Sequence, residues 1–383
     1  MKICVITGSR SEFDLLKNLI FEIKKDKYFK LEFLVTGSHL SKFFGKTVEY
    51  IKKNKLKINK LVDLSISKDD VKHISKSFST GVEKFSSIFS QSKPDMILIL
   101  GDRYEIFSCV ISATLNKIPI AHIHGGERSE GSMDEGIRHS ITKLSHVHFV
   151  STEAYKKRVL QLGENQKNVY NVGSLGAEAI TKVKYINKKN LQNLLKINFL
   201  KKIVLVSFHP ETLEKTLNKK NLDNFLQAIK TLNDFTIIFT MPNADIGFNL
   251  VYKNISNFVK KNKNSFLIKS LGHQKYFSLC KYINLYIGNS SSGIIELPSF
   301  NKPSINLGKR QKGRLKPKSV IDCDYNKKNI LKKIKLALSK KFSKRIRNLR
   351  NPYYNGQTSK KIVKKLKKTN YKKILYKEFS DII

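Results

Sequence analysis

Cysteine is scarce and scattered: the 383-residue chain has four, Cys4, Cys109, Cys280 and Cys323, each alone in its stretch. Without ligand spacing they indicate neither a zinc site nor a disulfide framework. No apolar run reaches membrane length. The opening Met1-Lys2-Ile3-Cys4-Val5-Ile6-Thr7-Gly8 has an apolar run of strand length, too short for the hydrophobic region of a signal peptide. A cytoplasmic location and no membrane partner are therefore expected. Internal repeats and low-complexity tracts are also missing. Acidic residues are few, 30 against 73 Lys and Arg, for a formal net charge of +43. That surplus invites a nucleic-acid reading, because basic patches collect phosphates. However, Lys dominates Arg and is spread over nearly every expected helix, and no zinc-finger or aromatic-interleaved pattern appears. Solvated helix faces account for the charge, and no nucleic-acid partner is expected. The surplus can still help to attract an anionic substrate.

What is present, throughout, is an alternation of short apolar, β-branched runs with helical patterns, the signature of parallel sheets covered by helices. Strands are expected at Lys2–Thr7, Leu31–Val35, Leu61–Ile66, Met96–Leu100, Ile118–Ile123, Val147–Ser151 and Val169–Val172. The pattern restarts with Ile203–Phe208, Phe235–Thr240, Ser265–Ile268, Leu285–Ile287 and Ser304–Leu307. Leu15, Leu16, Leu19, Ile20 and Ile23 form one helical stripe, and Val71, Ile74, Phe78, Val82, Phe85 and Phe89 another. The fold class is α/β, with two Rossmann-like doubly wound domains. The expected divisions are 1–181, 182–356, and 357–383 as a C-terminal helix closing the fold plus a tail. The polar stretch Lys182–Lys196 reads as the linker, and Tyr371–Ile383 as a loosely held tail.

Chemistry-bearing residues collect where strands end. They include Gly8-Ser9-Arg10, Gly101-Asp102-Arg103, Ile123-His124-Gly125-Gly126-Glu127, His209-Pro210, Pro242-Asn243 and Gly288-Asn289-Ser290-Ser291-Ser292-Gly293. In open α/β sheets that edge binds ligands, so with two sheets the site is expected in the cleft between them. The serine tract runs from a strand into a helix, where N–H groups, hydroxyls and the helix dipole favour a phosphate; it also reads as a plain serine N-cap. Arg10, Arg103 and Arg310 are candidates for a diphosphate clamp. Glu296 either faces the same pocket, as a ribose-holding carboxylate does, or is a solvated helix residue. Asp102, Glu127, Asp134 and Glu135 make a carboxylate cluster able to divide acid and base roles. His209 is a further donor or proton carrier. His139, Lys143, His146 and His148 read mostly as structural hydrogen-bonders, not metal ligands.

These residues in this order resemble the UDP-N-acetylglucosamine 2-epimerase family, in its hydrolysing branch that feeds sialic-acid-type sugar synthesis. The resemblance runs from about residue 3 to about residue 366. It is carried by Gly101-Asp102-Arg103, Gly125-Gly126-Glu127, the Asp134-Glu135-x-Ile137-Arg138-His139 tract, Gly288-Asn289-Ser290-Ser291 and Ile305-Asn306-Leu307-Gly308-Lys309-Arg310-Gln311. It implies the glycosyltransferase-B arrangement of two Rossmann-like domains. It also implies that Arg10, Arg103, His209, Asn243, Ser290, Ser291, Glu296 and Arg310 contact the nucleotide diphosphate, with Leu271 offering backbone contacts to uracil. Asp102, Asp134 and Glu135 match the family's catalytic carboxylates, with His209 beside them. Where many members place a catalytic glutamate this chain has His124, so Glu127 or His124 itself is left for that role.

The reaction so implied converts UDP-N-acetylglucosamine to N-acetylmannosamine and UDP through a glycal-like intermediate, with no metal, nicotinamide or other cofactor. A nucleotide-linked N,N'-diacetylbacillosamine, a precursor for legionaminic acid, is the alternative substrate, suggested by His124 and the inserted-looking Arg128–Ser132 segment. A homo-oligomer, dimer or tetramer, is expected. Two other classes remain: a glycosyltransferase, which would require an acceptor, and a nucleic-acid-binding protein, whose binding would collapse with salt.

Overall fold

The computed structural model describes residues 1–41, 46–66, 68, 70–213, 218–242 and 246–381. The chain divides into two compact units, one formed by 1–127, 134–179 and 353–383, the other by 128–133 and 180–352. This departs from an end-to-end division in two respects. The second unit starts at 180 and ends at 352, not at 182 and 356, and it includes the short segment 128–133.

The first unit holds a seven-stranded parallel sheet: β1 Lys2–Thr7, β2 Lys30–Thr36, β3 Lys60–Val62, β4 Met96–Leu100, β5 Ile120–Ile123, β6 Val147–Val150 and β7 Val169–Asn171. Their spatial order is β3-β2-β1-β4-β5-β6-β7. Alternate residues of each strand serve opposite faces. Ile3 and Val5 join Leu16, Leu19, Ile20 and Ile23 on one side, while Cys4 and Ile6 join Phe85, Phe89, Ile106 and Cys109 on the other. Both faces are thus buried, as βαβ crossovers require. The covering helix Arg10–Lys25 begins at Ser9, whose side chain accepts from the Glu12 N–H. Helix Val71–Ser92 lies so close to helix Tyr104–Leu115 that a Cβ on Gly81 would come within 2.3 Å of Ser108 Oγ. Of its expected stripe, Phe85 and Phe89 are fully buried, whereas Val71 is 68% exposed.

The second unit repeats the plan with six parallel strands: β8 Lys202–Ser207, β9 Phe235–Thr240, β10 Ser265–Ile268, β11 Leu285–Gly288, β12 Ser304–Leu307 and β13 Val320–Cys323. The order is β10-β9-β8-β11-β12-β13. β13 was not expected from sequence. Its Ile321 and Cys323 are buried while Asp322 is exposed, an edge-strand alternation masked by two polar neighbours. Conversely, the strand expected to reach Ile66 stops at Val62, and Ser65 adopts a left-handed φ of 53° that breaks the extended run.

Two further expectations are corrected. The stretch 182–196 is not a bare linker: Asn187 caps a helix, Lys188–Leu195, whose Leu191 is buried with Ile203, Leu205 and Cys280. The tail is not loose across its described part. Lys377 Nζ sits 2.7 Å from Glu164 Oε2, Ser380 N–H bonds the Gly163 carbonyl at 3.0 Å, and Phe379 packs on Gly163. Helix Thr358–Lys368 buries Ile362, Val363 and Leu366 against the core of the first sheet. Among the described residues no helix is long and apolar enough to cross a membrane.

Candidate functional site

Each sheet has one place where its chain order reverses, between β1 and β4 in the first and between β8 and β11 in the second. Outside the carboxyl ends of strands at such a reversal no connection covers the crevice, so ligands enter there. Gly8-Ser9-Arg10 and Gly101-Asp102-Arg103 follow the first pair. His209 and Gly288-Asn289-Ser290-Ser291 follow the second.

In the first unit the centre of the polar cluster is Arg138, 1% exposed, on helix Asp134–Leu144. Its Nε donates to Asp102 Oδ2 at 2.8 Å, and Nη2 bonds the same carboxylate. Nη1 donates to Glu135 Oε2 at 2.7 Å and to the Glu127 carbonyl at 3.0 Å. Burial alone would lower the guanidinium pKa, but the charges of Asp102 and Glu135 more than reverse that, so it stays a cation. Asp134 lies within electrostatic reach of the same group. One arginine therefore gathers three separate segments, and its fork shape makes that possible.

His124 and Glu127 form a second pair, with Nδ1 3.0 Å from Oε1, and Ser151 Oγ donates to the same oxygen at 3.2 Å. His124 holds a left-handed φ of 70°. For a non-glycine residue that costs about 1–3 kcal/mol and clusters at functional sites. Glu135 Oε1 also meets His139 Nε2 at 3.2 Å. His146 accepts from the Ile120 N–H at 3.2 Å and His148 pairs with Glu164 at 2.9 Å, as structural hydrogen-bonders do.

Arg10 and Arg103 also belong to this unit. The Arg10 guanidinium lies over the Tyr50 ring at 4.9 Å and its Nε is 3.8 Å from Asp14. Arg103 donates through Nε and Nη2 to Glu105 Oε1, at 3.1 Å each. Glu105 is fully buried and Glu12 is 5% exposed. Burial pushes the Glu12 carboxyl up to about 8, against the pull of Arg103, so near neutral pH it is largely protonated.

In the second unit Asn289, 0% exposed, is the joint. Its Oδ1 accepts from the His209 N–H at 2.7 Å and its Nδ2 donates to the His209 carbonyl at 2.8 Å. Its own carbonyl accepts from Arg310 Nη1 at 3.2 Å and Gln311 Nε2 at 2.9 Å. Gly288 is required by close approach, since a Cβ there would lie 2.0 Å from the Ser207 carbonyl oxygen. The helix after the serines, Ser292–Ile295, has only four residues. Its dipole is correspondingly slight, and the donors an anion would meet are individual N–H groups and the hydroxyls of Ser290 and Ser291. Tyr276 bonds Ser292, and burial, reinforced by Cys280, Tyr286 and the Glu296 charge, raises its phenol well above the usual range. Leu271 is 7% exposed, its side chain in the core ahead of helix Gly272–Tyr282, which leaves its backbone as the part able to contact a ligand. Asn243 lies outside the described residues. The Arg128–Met133 segment belongs here too: Glu130 N–H bonds the Lys312 carbonyl at 3.2 Å, and Met133 N–H bonds Thr212 Oγ1 at 3.0 Å.

Two residues central to this geometry carried no assigned role from sequence. Arg138 could have been found from its spacing, three and four residues beyond Glu135 and Asp134 on one helix face. Glu211, 2% exposed, accepts from the Lys309 and Arg310 N–H groups at 2.9 and 3.1 Å and from Tyr325 at 2.9 Å. No local pattern announces it, because its partners lie about a hundred residues away.

The chain is 43% identical to GDP/UDP-N,N'-diacetylbacillosamine 2-epimerase (hydrolyzing) of Campylobacter jejuni, covering 100% of this chain and 99% of that protein. It is 40% identical to polysialic acid biosynthesis protein P7 of Escherichia coli, covering 100% and 97%. The crystal structure of UDP-GlcNAc 2-epimerase from Neisseria meningitidis bound to UDP-GlcNAc has the same fold, with a TM-score of 0.82 at 22% identity over 96% of this chain and 100% of that one. The family model for UDP-N-acetylglucosamine 2-epimerase matches residues 21–367, and with the strand order, the sheet-edge cluster and the full-length relatives it leads to one assignment: this chain belongs to the UDP-N-acetylglucosamine 2-epimerase family.

Proposed function

We infer that the chain is a hydrolysing 2-epimerase that converts UDP-N-acetylglucosamine and water to N-acetylmannosamine and UDP. The observation that carries this reading is the set of carboxylates gathered on Arg138 next to the His124–Glu127 pair, at the sheet edge where a ligand binds. The hydrogen on sugar carbon 2 is not adjacent to a carbonyl, so its removal must accompany departure of the anomeric diphosphate. His124 or a carboxylate among Asp102, Glu127, Asp134 and Glu135 takes the proton. The C1–O bond breaks with its electron pair going to the diphosphate, and a C1–C2 double bond forms. Arg10, Arg103, His209, Asn243, Ser290, Ser291 and Arg310 stabilise the leaving group, Glu296 holds the ribose and the Leu271 backbone meets the base. Water then adds to C1, and a second group, His209 or another of the carboxylates, delivers a proton to the opposite face of C2. No metal or redox cofactor is needed for this balance. A cytoplasmic location, where nucleotide sugars are made, and assembly as a dimer or tetramer belong to the same reading; light scattering of the purified protein tests the assembly.

The Campylobacter relative, by its name, acts on diacetylbacillosamine, as does a Legionella pneumophila relative 33% identical to this chain. This favours a second reading in which the same chemistry runs on a nucleotide-linked N,N'-diacetylbacillosamine. Purified protein incubated with each nucleotide sugar in heavy water, without metal or acceptor, decides both matters. The preferred substrate should yield free nucleoside diphosphate and a 2-epimer carrying deuterium at carbon 2. Strict dependence on an acceptor would instead make the protein a glycosyltransferase, and retention of the original hydrogen would remove the proton-transfer roles.

A further inference from the structure

The middle of a parallel sheet buried on both faces is ordinarily filled with apolar side chains. β5 departs from that with His122, 0% exposed, one residue inside its carboxyl end. Its Nε2 lies 2.8 Å from the carbonyl oxygen of Gly101, the residue directly before Asp102. A carbonyl only accepts, so Nε2 carries the hydrogen. Gly101 has a φ of 83°, which turns the chain out of β4, and its own N–H goes to the Ile123 carbonyl at 3.1 Å. On its other side the His122 ring meets Thr142 Oγ1 at 3.3 Å, and Thr142 also reaches the Arg138 carbonyl at 3.0 Å. Gly125 closes over this contact: a Cβ there would lie 3.0 Å from both His122 Nδ1 and Thr142 Oγ1. The segments bearing Asp102, Arg138 with Glu135, and His124 with Glu127 therefore all meet on one imidazole. Burial drives that imidazole's pKa down to about 3, so across the working range it keeps one proton and one hydrogen-bonding pattern.

We propose that His122 is a positioning residue for the epimerisation, holding the Gly101 peptide through Nε2–H and so setting the Asp102 carboxylate against Arg138. This rests on the reading of Asp102 as a proton-transfer group. The test compares His122→Gln, whose amide nitrogen reaches the place of Nε2, with His122→Asn, which keeps a polar group near Thr142 but falls short of Gly101. Turnover, KM and UDP affinity are measured on the full chain, with Asp102→Asn in parallel. A misplacement of about 1 Å costs on the order of 10²-fold in rate. His122→Asn should therefore lose turnover on that scale with UDP affinity unchanged, and His122→Gln should recover most of it. A role in packing alone would penalise both variants alike. A His122→Gln protein that does not fold, or that loses turnover as deeply as His122→Asn, overturns the proposal, as does full activity of His122→Asn. If His122→Asn itself does not fold, folded His122→Gln decides alone, supporting the proposal with retained turnover and overturning it without. Wild-type activity in Asp102→Asn would instead remove the site reading on which it rests.

Discussion

Arg138 and Asp102 are joined through Nε at 2.8 Å and through Nη2 to the same carboxylate oxygen, 36 residues apart in the chain. The pair ties the loop after β4 to helix Asp134–Leu144, and the rest of the fork reaches Glu135 and the Glu127 carbonyl. Arg138 is buried while Asp102 and Glu135 keep partial exposure, so removing the arginine leaves two half-buried carboxylates without their counter-charge.

Arg138→Met should destabilise the first unit by about 1.5–3 kcal/mol, because the half-buried Asp102 and Glu135 lose their shared counter-charge. Arg138→Lys keeps the charge but cannot span three acceptors, so it should fold and still lose turnover on the order of 10²-fold. Chemical denaturation and steady-state rates check both. An Arg138→Lys enzyme with normal turnover would show that the fork geometry is irrelevant.

Asp102→Asn and Ser291→Ala should differ in kind. The first removes the proposed proton-transfer group and should lower turnover by about 10²–10⁴-fold with UDP affinity little changed. The second removes one hydroxyl donor from the proposed diphosphate site and should weaken UDP roughly tenfold with smaller loss of turnover. Calorimetric titration with UDP separates them; the reverse pattern means the two roles are exchanged.

Glu12 makes stability depend on pH. Its carboxyl is raised in the folded state from the ordinary 4.5 to about 8, chiefly by burial, so the native protein binds a proton that the unfolded chain gives up. The contribution is complete below pH 4.5 and is lost as pH rises towards 8, by at most about 1.4 kcal/mol for each pH unit. Glu12→Gln imitates the protonated form. Its melting temperature should match wild type below pH 4.5, exceed it increasingly between pH 4.5 and about 8, and keep a constant margin above that. Parallel curves at all pH values would contradict the assignment.

Lys377 pins the far end of the Arg138 helix. It bonds the Lys143 and Ser145 carbonyls and pairs with Glu164, whose side chain is 2% exposed. Burial would raise the Glu164 carboxyl, but the His148 hydrogen bond and Lys377 outweigh it and bring it down to about 2. Lys143 remains as a second cation 3.0 Å from Glu164, so Lys377→Met should cost only about 1–3 kcal/mol. Hydrogen exchange should quicken at Lys143–Val150 and leave the second sheet unchanged. Unaltered exchange there would mean that the tail contact carries no stability.

Local chemistry made much of this protein legible. β1, β4, β9, β10 and β12 coincide with their apolar runs, and the remaining expected strands differ only at their ends, apart from β3. This follows because a strand buried on both faces must be apolar at nearly every position, a signal needing no knowledge of the partner. The glycine, serine and carboxylate tracts at strand ends were visible for the same reason: each is a short, contiguous segment of unusual composition.

Tertiary structure alone decided the rest. β13 escaped because an edge strand buries one face and tolerates Asp322 on the other. His122 reads as one polar residue in an apolar run until β4 brings Gly101 within 2.8 Å of it. Nothing local marks Glu211 until the Lys309 and Arg310 N–H groups fold onto it. The tail reads as loosely held until Lys377 meets Glu164. Hydrophobic burial is additive along the chain and so is written in sequence periodicity. A buried polar group is tolerated only when paired, and here its partners stand tens to hundreds of residues away, where only the folded chain brings them together.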